Sequence, residues 1–184
     1  DRDMTGRQLQ DRPDVRVGQG IDVHPFDDGD AVILCDDQTG EWIARVAEVS
    51  KRAVIVEVEQ QTRPREDVPD FWLCAALLKK PNFDLVLEKA TELGVAKVVP
   101  VVTRRCVADK LNPERARAIM TEAAEQCART ALPEIGLPSL GDTAKLDHLL
   151  RDWPEGRALF FADENGGMPV AAAFLQAGKA PAAL

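Results

Sequence analysis

The sequence predicts an α/β protein in which a small antiparallel β domain precedes a parallel α/β domain. Three observations carry that expectation. Apolar residues recur at helical spacing from Asn82 to Gly94 and again from Asn112 to Arg129. Between them Lys97-Val98-Val99-Pro100-Val101-Val102 packs four valines into six residues, too short for a buried helix and too β-branched to prefer one. Upstream, residues 31–59 hold short runs rich in Val, Ile and Trp, separated by polar turns. Strands alternating with helices make a parallel sheet, whereas strands joined by tight turns pair antiparallel.

Residues 1–14 are polar and without periodicity, so no structure is expected there. The first residue is Asp1, and the chain reads as an internal or trimmed piece. Arg16 to Phe26 is a glycine-rich run ending in Asp22-Val23-His24-Pro25. On a strand Asp22 and His24 point to one face, and such a pair can supply two ligands to a divalent metal. The plainer alternative is a surface strand that turns at Pro25. Strands are expected at Ala31 to Cys35, Trp42 to Val49 and Arg52 to Glu59, with residues 36–40 and 50–51 as turns. Val54, Val56 and Val58 alternate with Ile55, Glu57 and Glu59, so one face is buried and the other mostly wet. Residues 15–62 are therefore expected to form a barrel-like β domain, and 63–70, with two prolines and clustered charge, a linker.

The second domain is expected over residues 71–184. Phe71 to Leu78 reads as its first strand, with Lys79 and Lys80 at the carboxyl end, where parallel sheets bind ligands. The first helix is expected to start at an Asn82 cap and stop at Gly94, with Phe83, Val86, Leu87, Ala90 and Leu93 facing inward. After the valine strand comes a polar loop with Arg104, Arg105 and Lys110, and arginine forks in such a loop suit bidentate phosphate binding. Asn112-Pro113 opens the second helix, whose inner face is Ala116, Ile119, Met120, Ala123 and Cys127. An extended piece at 133–138, a helix at 144–150, a strand at 158–162 and a helix at 168–176 follow. Asp163 to Gly167 is a loop whose glycines allow close backbone approach to a ligand. Pro181 to Leu184 reads as a chain stopping just before its next strand.

Composition narrows the function. The 184 residues are 45% apolar and 29% charged, enough for a sizeable core. No apolar run approaches the roughly 20 residues needed to cross a bilayer, and no leader stands at the front, so a soluble cytoplasmic protein with no membrane partner is expected. Cys35, Cys74, Cys106 and Cys127 are scattered without a C-x-x-C pair, and free, mostly buried thiols are expected. The net charge of −8 hides an asymmetry. Residues 1–70 carry 9 basic and 17 acidic side chains, 71–130 carry 10 and 7, and 131–184 carry 4 and 7. The positive excess sits in residues 71–130, a local balance compatible with gripping a polyanion.

Four motifs carry a resemblance. Lys79-Lys80, Leu87-Glu88-Lys89-Ala90-Thr91-Glu92-Leu93-Gly94-Val95, Pro100 with Thr103-Arg104-Arg105-Cys106-Val107, and Glu122-Ala123-Ala124-Glu125-Gln126-Cys127-Ala128-Arg129 resemble the RsmE family. Those proteins are S-adenosylmethionine-dependent methyltransferases acting on N3 of a uridine in small-subunit (16S) ribosomal RNA. The resemblance implies an N-terminal PUA-like β domain followed by a SPOUT-type α/β domain, with ribosomal RNA as partner and a homodimeric assembly. It further implies that Lys79, Lys80, Arg104 and Arg105 are RNA-side residues, and Gln126 and Arg129 RNA-side or cofactor-side ones. The family's Gly-Pro-Glu-Gly-Gly loop does not occur here, so the knot and the S-adenosylmethionine site are expected beyond Leu184 and this piece is expected to be inactive. Residues 15–28 instead resemble the N-terminal signature of 2-C-methyl-erythritol 2,4-cyclodiphosphate synthase, which implies Asp22 and His24 as metal ligands. Two other functions thus stand beside the first: a non-catalytic RNA-binding module, and a metal-dependent cyclodiphosphate synthase piece.

Overall fold

The computed structural model describes residues 27–50, 53–178 and 180–184. Asp22 and His24 lie outside them. The chain divides into two compact units, residues 1–66 and 67–184.

The first unit holds an antiparallel sheet of β1 (Ala31–Asp36), β2 (Gly40–Val49) and β3 (Val54–Pro64), in that order. Asp36 closes the β1–β2 turn by accepting hydrogen bonds from the Gln38 and Thr39 amides and from the Thr39 hydroxyl, and Thr39 Oγ1 in turn accepts from the Trp42 indole at 2.9 Å. Gly40, at φ +113°, sits so close to the Arg63 and Pro64 backbone that no side chain fits. Three register irregularities along β2 and β3, of the kind that bend and twist a sheet, interrupt the pairing. Among the described residues the sheet has three strands and does not close on itself, where a barrel was expected. β3 also runs through residues expected to begin a linker, because Thr62 and Arg63 both bond Glu41 across the ladder, at 2.7 and 2.8 Å.

The second unit is a six-stranded sheet of order β6-β5-β4-β9-β8, with β7 also pairing β5, and every pairing in it is parallel. β4 (Phe71–Ala76) leads into α1 (Lys80–Leu93), then β5 (Lys97–Val102) and α2 (Pro113–Cys127). Short elements complete it: β6 (Glu134–Ile135), β7 (Ala144–Lys145), α3 (Leu146–Arg151), β8 (Ala158–Leu159), α4 (Val170–Ala177) and β9 (Ala182–Ala183). The valine run serves both faces because side chains alternate along a strand. Val98 packs with Leu77, Phe83, Leu87, Ala90, Ala116 and Met120, while Val99 and Val101 pack opposite with Trp72, Ala144, Leu149 and Ala183. Each fully buried aliphatic side chain contributes about 1.5–3 kcal/mol. Pro100 is tolerated inside this strand for a local reason. β6 pairs only Lys97 and Val98 and β7 only Val101 and Val102, so the missing proline N–H falls in the gap between two short neighbours.

Several element boundaries differ from expectation. The cap of α1 is Lys79 rather than Asn82, with no side-chain cap bond. Pro81 lies in the first turn, where its absent N–H costs nothing, and the Asn82 and Phe83 amides both reach Lys79 O. Asn112 does cap α2, its Oδ1 accepting from the Arg115 amide at 2.9 Å. Leu93 is 79% exposed, and Thr91 takes its place on the inner face by donating its hydroxyl to Leu87 O at 2.8 Å. Cys127 and Cys35 are exposed and Cys74 and Cys106 half-buried, so the thiols are free but not mostly buried. Ala182 and Ala183, expected to precede a strand, are themselves the strand between β4 and β8.

Candidate functional site

Parallel strands deliver their following loops to one edge of the sheet, and β4 and β5 are neighbours. Lys79 and Lys80 follow β4 at the start of α1, and Arg104 and Arg105 form the exposed turn after β5. The topology therefore brings these four cations to the same carboxyl edge. None of them enters an ion pair among the described residues.

Beside the Arg104–Arg105 turn, the Cys106 sulfur lies 3.3 Å from both the Thr103 amide and the Thr103 hydroxyl. Burial acts to raise its pKa, but the hydrogen bonds from Thr103 outweigh it and hold the thiol below its ordinary value. Between the N-terminal halves of α1 and α2 runs a cleft of about 70 Å³, floored by Leu77, Phe83 and Leu87, with Lys80, Lys110 and Arg115 in its lining. Asp84, also in the lining, accepts the Arg115 fork at 2.6 and 3.4 Å.

Gln126 and Arg129 do not join this group. Both lie at the C-terminal end of α2, which the topology carries to the opposite, amino edge of the strands. Arg129 donates its Nε–H to Glu92 O at 2.9 Å, and its guanidinium lies against Gly94. Gly94 has φ +75°, and a Cβ there would run into that guanidinium. A cation on the last carbonyls of α1 also complements the helix dipole. Arg129 thus clasps the two helix ends.

Sequence reasoning missed Arg157. Its side chain is only 9% exposed and donates bidentately to Asp70 at 2.6 and 2.8 Å and to the carbonyls of Asp70 and Ala182. It also lies over the Trp72 ring at 3.8 Å, which Lys97 approaches at 4.7 Å. These bonds tie the starts of β4, β8 and β9 together across 87 residues of sequence, a separation no local pattern reveals. Neighbouring Cys74 is pushed up to about 11 by burial, with Arg157 opposing the rise.

The loop after β8 offers no cradle for a methyl donor. Gly166 and Gly167 have φ of +127° and +132°, yet a Cβ at either would meet nothing within 4 Å. The Gly166–Gly167 turn is therefore open, with no wall of protein atoms close against it. Among the described residues there is no group of three or more His, Cys, Asp and Glu side chains placed to hold a metal, and no helix is long and apolar enough to cross a membrane.

Comparison with known proteins covers the same region. A family model described as RNA methyltransferase domain matches residues 64–183. The ribosomal RNA small subunit methyltransferase E of Rickettsia conorii is 29% identical over 106 residues, covering 58% of this chain and 43% of the relative. The Bacillus subtilis protein of the same name is 27% identical over 146 residues, covering 72% and 57%. The chain thus spans about half the length of the curated relatives it matches. The crystal structure of the Neisseria gonorrhoeae protein of that name, bound to S-adenosylmethionine, superposes with a TM-score of 0.60 at 22% identity, covering 72% of this chain and 56% of that one.

Proposed function

This chain belongs to the family of RNA methyltransferase domains, and on that premise we propose that it serves S-adenosylmethionine-dependent methylation of N3 of a uridine in small-subunit ribosomal RNA. The observation that carries the proposal is the cationic edge of the parallel sheet, Lys79, Lys80, Arg104 and Arg105, which forms no ion pair among the described residues and lies within the matched region. Uridine N3 must lose its proton before or during attack on a methyl sulfonium. The protein's task is then to position the base and to stabilise a uracil anion rather than to supply a strong base. Arginine forks in the turn after β5 suit the phosphates on either side of that base. S-adenosylmethionine as donor is supported by the relative solved with it bound. The Gly166–Gly167 turn is open rather than walled around a donor, and the 184 residues alone are proposed to be inactive. The proposal extends to a cytoplasmic homodimer, read by cell fractionation and sedimentation.

The open Gly166–Gly167 loop favours one second reading, a non-catalytic RNA-binding module. Transfer of labelled methyl from S-adenosylmethionine to unmodified small-subunit RNA by the full-length product of the gene that encodes this chain, with the 184 residues alone expected to transfer none, separates the two. Transfer by that product is expected, with kcat/KM at least about tenfold lower in Arg104→Ala/Arg105→Ala, the scale of one or two lost charged hydrogen bonds. RNA binding without any transfer would leave the binding module standing and the methyltransferase proposal defeated.

A further inference from the structure

We infer that the cleft between α1 and α2 is a seat for one nucleotide of single-stranded RNA, with its phosphate held between Lys80 and Lys110; the inference rests on the RNA reading above. The cleft lining carries three cations, Lys80, Lys110 and Arg115, against one carboxylate, Asp84. Asp84 is already engaged by the Arg115 fork. The lining is therefore positive by two charges, and the two lysines carry that excess. Both are exposed, and neither enters an ion pair among the described residues. The Arg115–Asp84 bridge also fixes one wall, since it ties α2 to α1 across 31 residues. Leu78 and Leu111 line the cleft beside the apolar floor, so the C–H face of a ribose meets apolar surface while its phosphate meets ammonium groups. The space, about 70 Å³, admits the edge of one sugar and not a stacked duplex. Lys110 thereby gains a role that the family motifs do not assign to it. The Arg104–Arg105 turn and Lys110 belong to one loop, so a strand crossing that turn has a continuous path into the cleft.

Salt dependence reads this directly, because each phosphate contact on a single strand contributes about 0.7 to the slope of log affinity against log salt. The probe is a single-stranded oligonucleotide of small-subunit RNA, titrated against the unmodified chain, Lys110→Gln, Lys80→Gln and the double variant. Lys110→Gln is expected to weaken binding several-fold and to reduce the slope by about 0.7 without changing the melting temperature. The double variant is expected to lose no more slope than Lys110→Gln alone, because the one phosphate is held only while both lysines flank it, so that loss of either releases it. An unchanged slope in Lys110→Gln, or twice the loss in the double variant, overturns the cleft assignment while leaving the RNA reading intact. Absence of binding by the unmodified chain at low salt removes the RNA reading itself. Lysine-dependent binding of polyglutamate without RNA binding assigns the cleft to an acidic protein and also overturns it.

Discussion

Two half-buried cysteines show how the same side chain acquires opposite chemistry from its surroundings. Cys74 lies in β4, where burial disfavours the thiolate and raises its pKa to about 11 despite the nearby Arg157. At pH 8 its thiolate fraction is then on the order of one in a thousand, and the thiolate is the reactive form. Cys106 receives hydrogen bonds from Thr103, which favour the charged form and lower its pKa. Iodoacetamide labelling followed by mass spectrometry is therefore expected to modify Cys106 at a lower pH than Cys74. The Cys74 rate is expected to keep climbing until about pH 11, since a raised acid pKa moves ionisation to higher pH. Equal rates for the two thiols at pH 8 would contradict this assignment. The sequence showed four scattered cysteines and no partner for any of them, so it could not separate the two. Their difference comes from Thr103, which lies within local reach of Cys106, and from the burial of Cys74, which only the tertiary packing of β4 supplies.

At the scale of elements, the ends of α1 and α2 are joined by the Arg129–Gly94 clasp. Gly94→Ala is expected to destabilise the protein by about 1–3 kcal/mol, because alanine resists a positive φ and its Cβ would displace the Arg129 guanidinium. Arg129→Ala is expected to cost about 1 kcal/mol, the worth of a helix-end hydrogen bond, yet to leave the salt dependence of RNA binding unchanged. Thermal melting and the salt titration check both, and a lower slope in Arg129→Ala would return that residue to the RNA face. Element types were legible where periodicity is strong: Asn112-Pro113 and the valine run gave the second helix and the interior strand directly. Boundaries were less so. Asn82 resembles a cap, but Pro81 is acceptable only in the first turn, so the helix begins earlier and takes in Lys80. Two-residue strands such as β6, β7 and β9 have no period to detect, and only their parallel partners define them. The candidate site divided in the same way. Lys79, Lys80, Arg104 and Arg105 came together because the loops of adjacent parallel strands must, whereas Gln126 and Arg129 entered through a motif alone and lie at the other edge.

For the whole molecule, the net charge of −8 sets the background against which the cationic edge acts. The acidic excess belongs mainly to residues 1–70, whereas Lys79, Lys80, Arg104 and Arg105 gather at the carboxyl edge of the second unit's sheet, which gives that edge an attraction for a polyanion that the net charge hides. Composition alone would have argued against an RNA partner; the segment-by-segment balance, the parallel topology and the family match point the other way. Methylation of uridine N3 leaves a single stable nucleoside as its product. N3-methyluridine in small-subunit ribosomal RNA, measured by nucleoside mass spectrometry, should disappear in cells lacking the gene that encodes this chain and return when the gene is restored. An unchanged N3-methyluridine content in the deletion would contradict the proposed methylation.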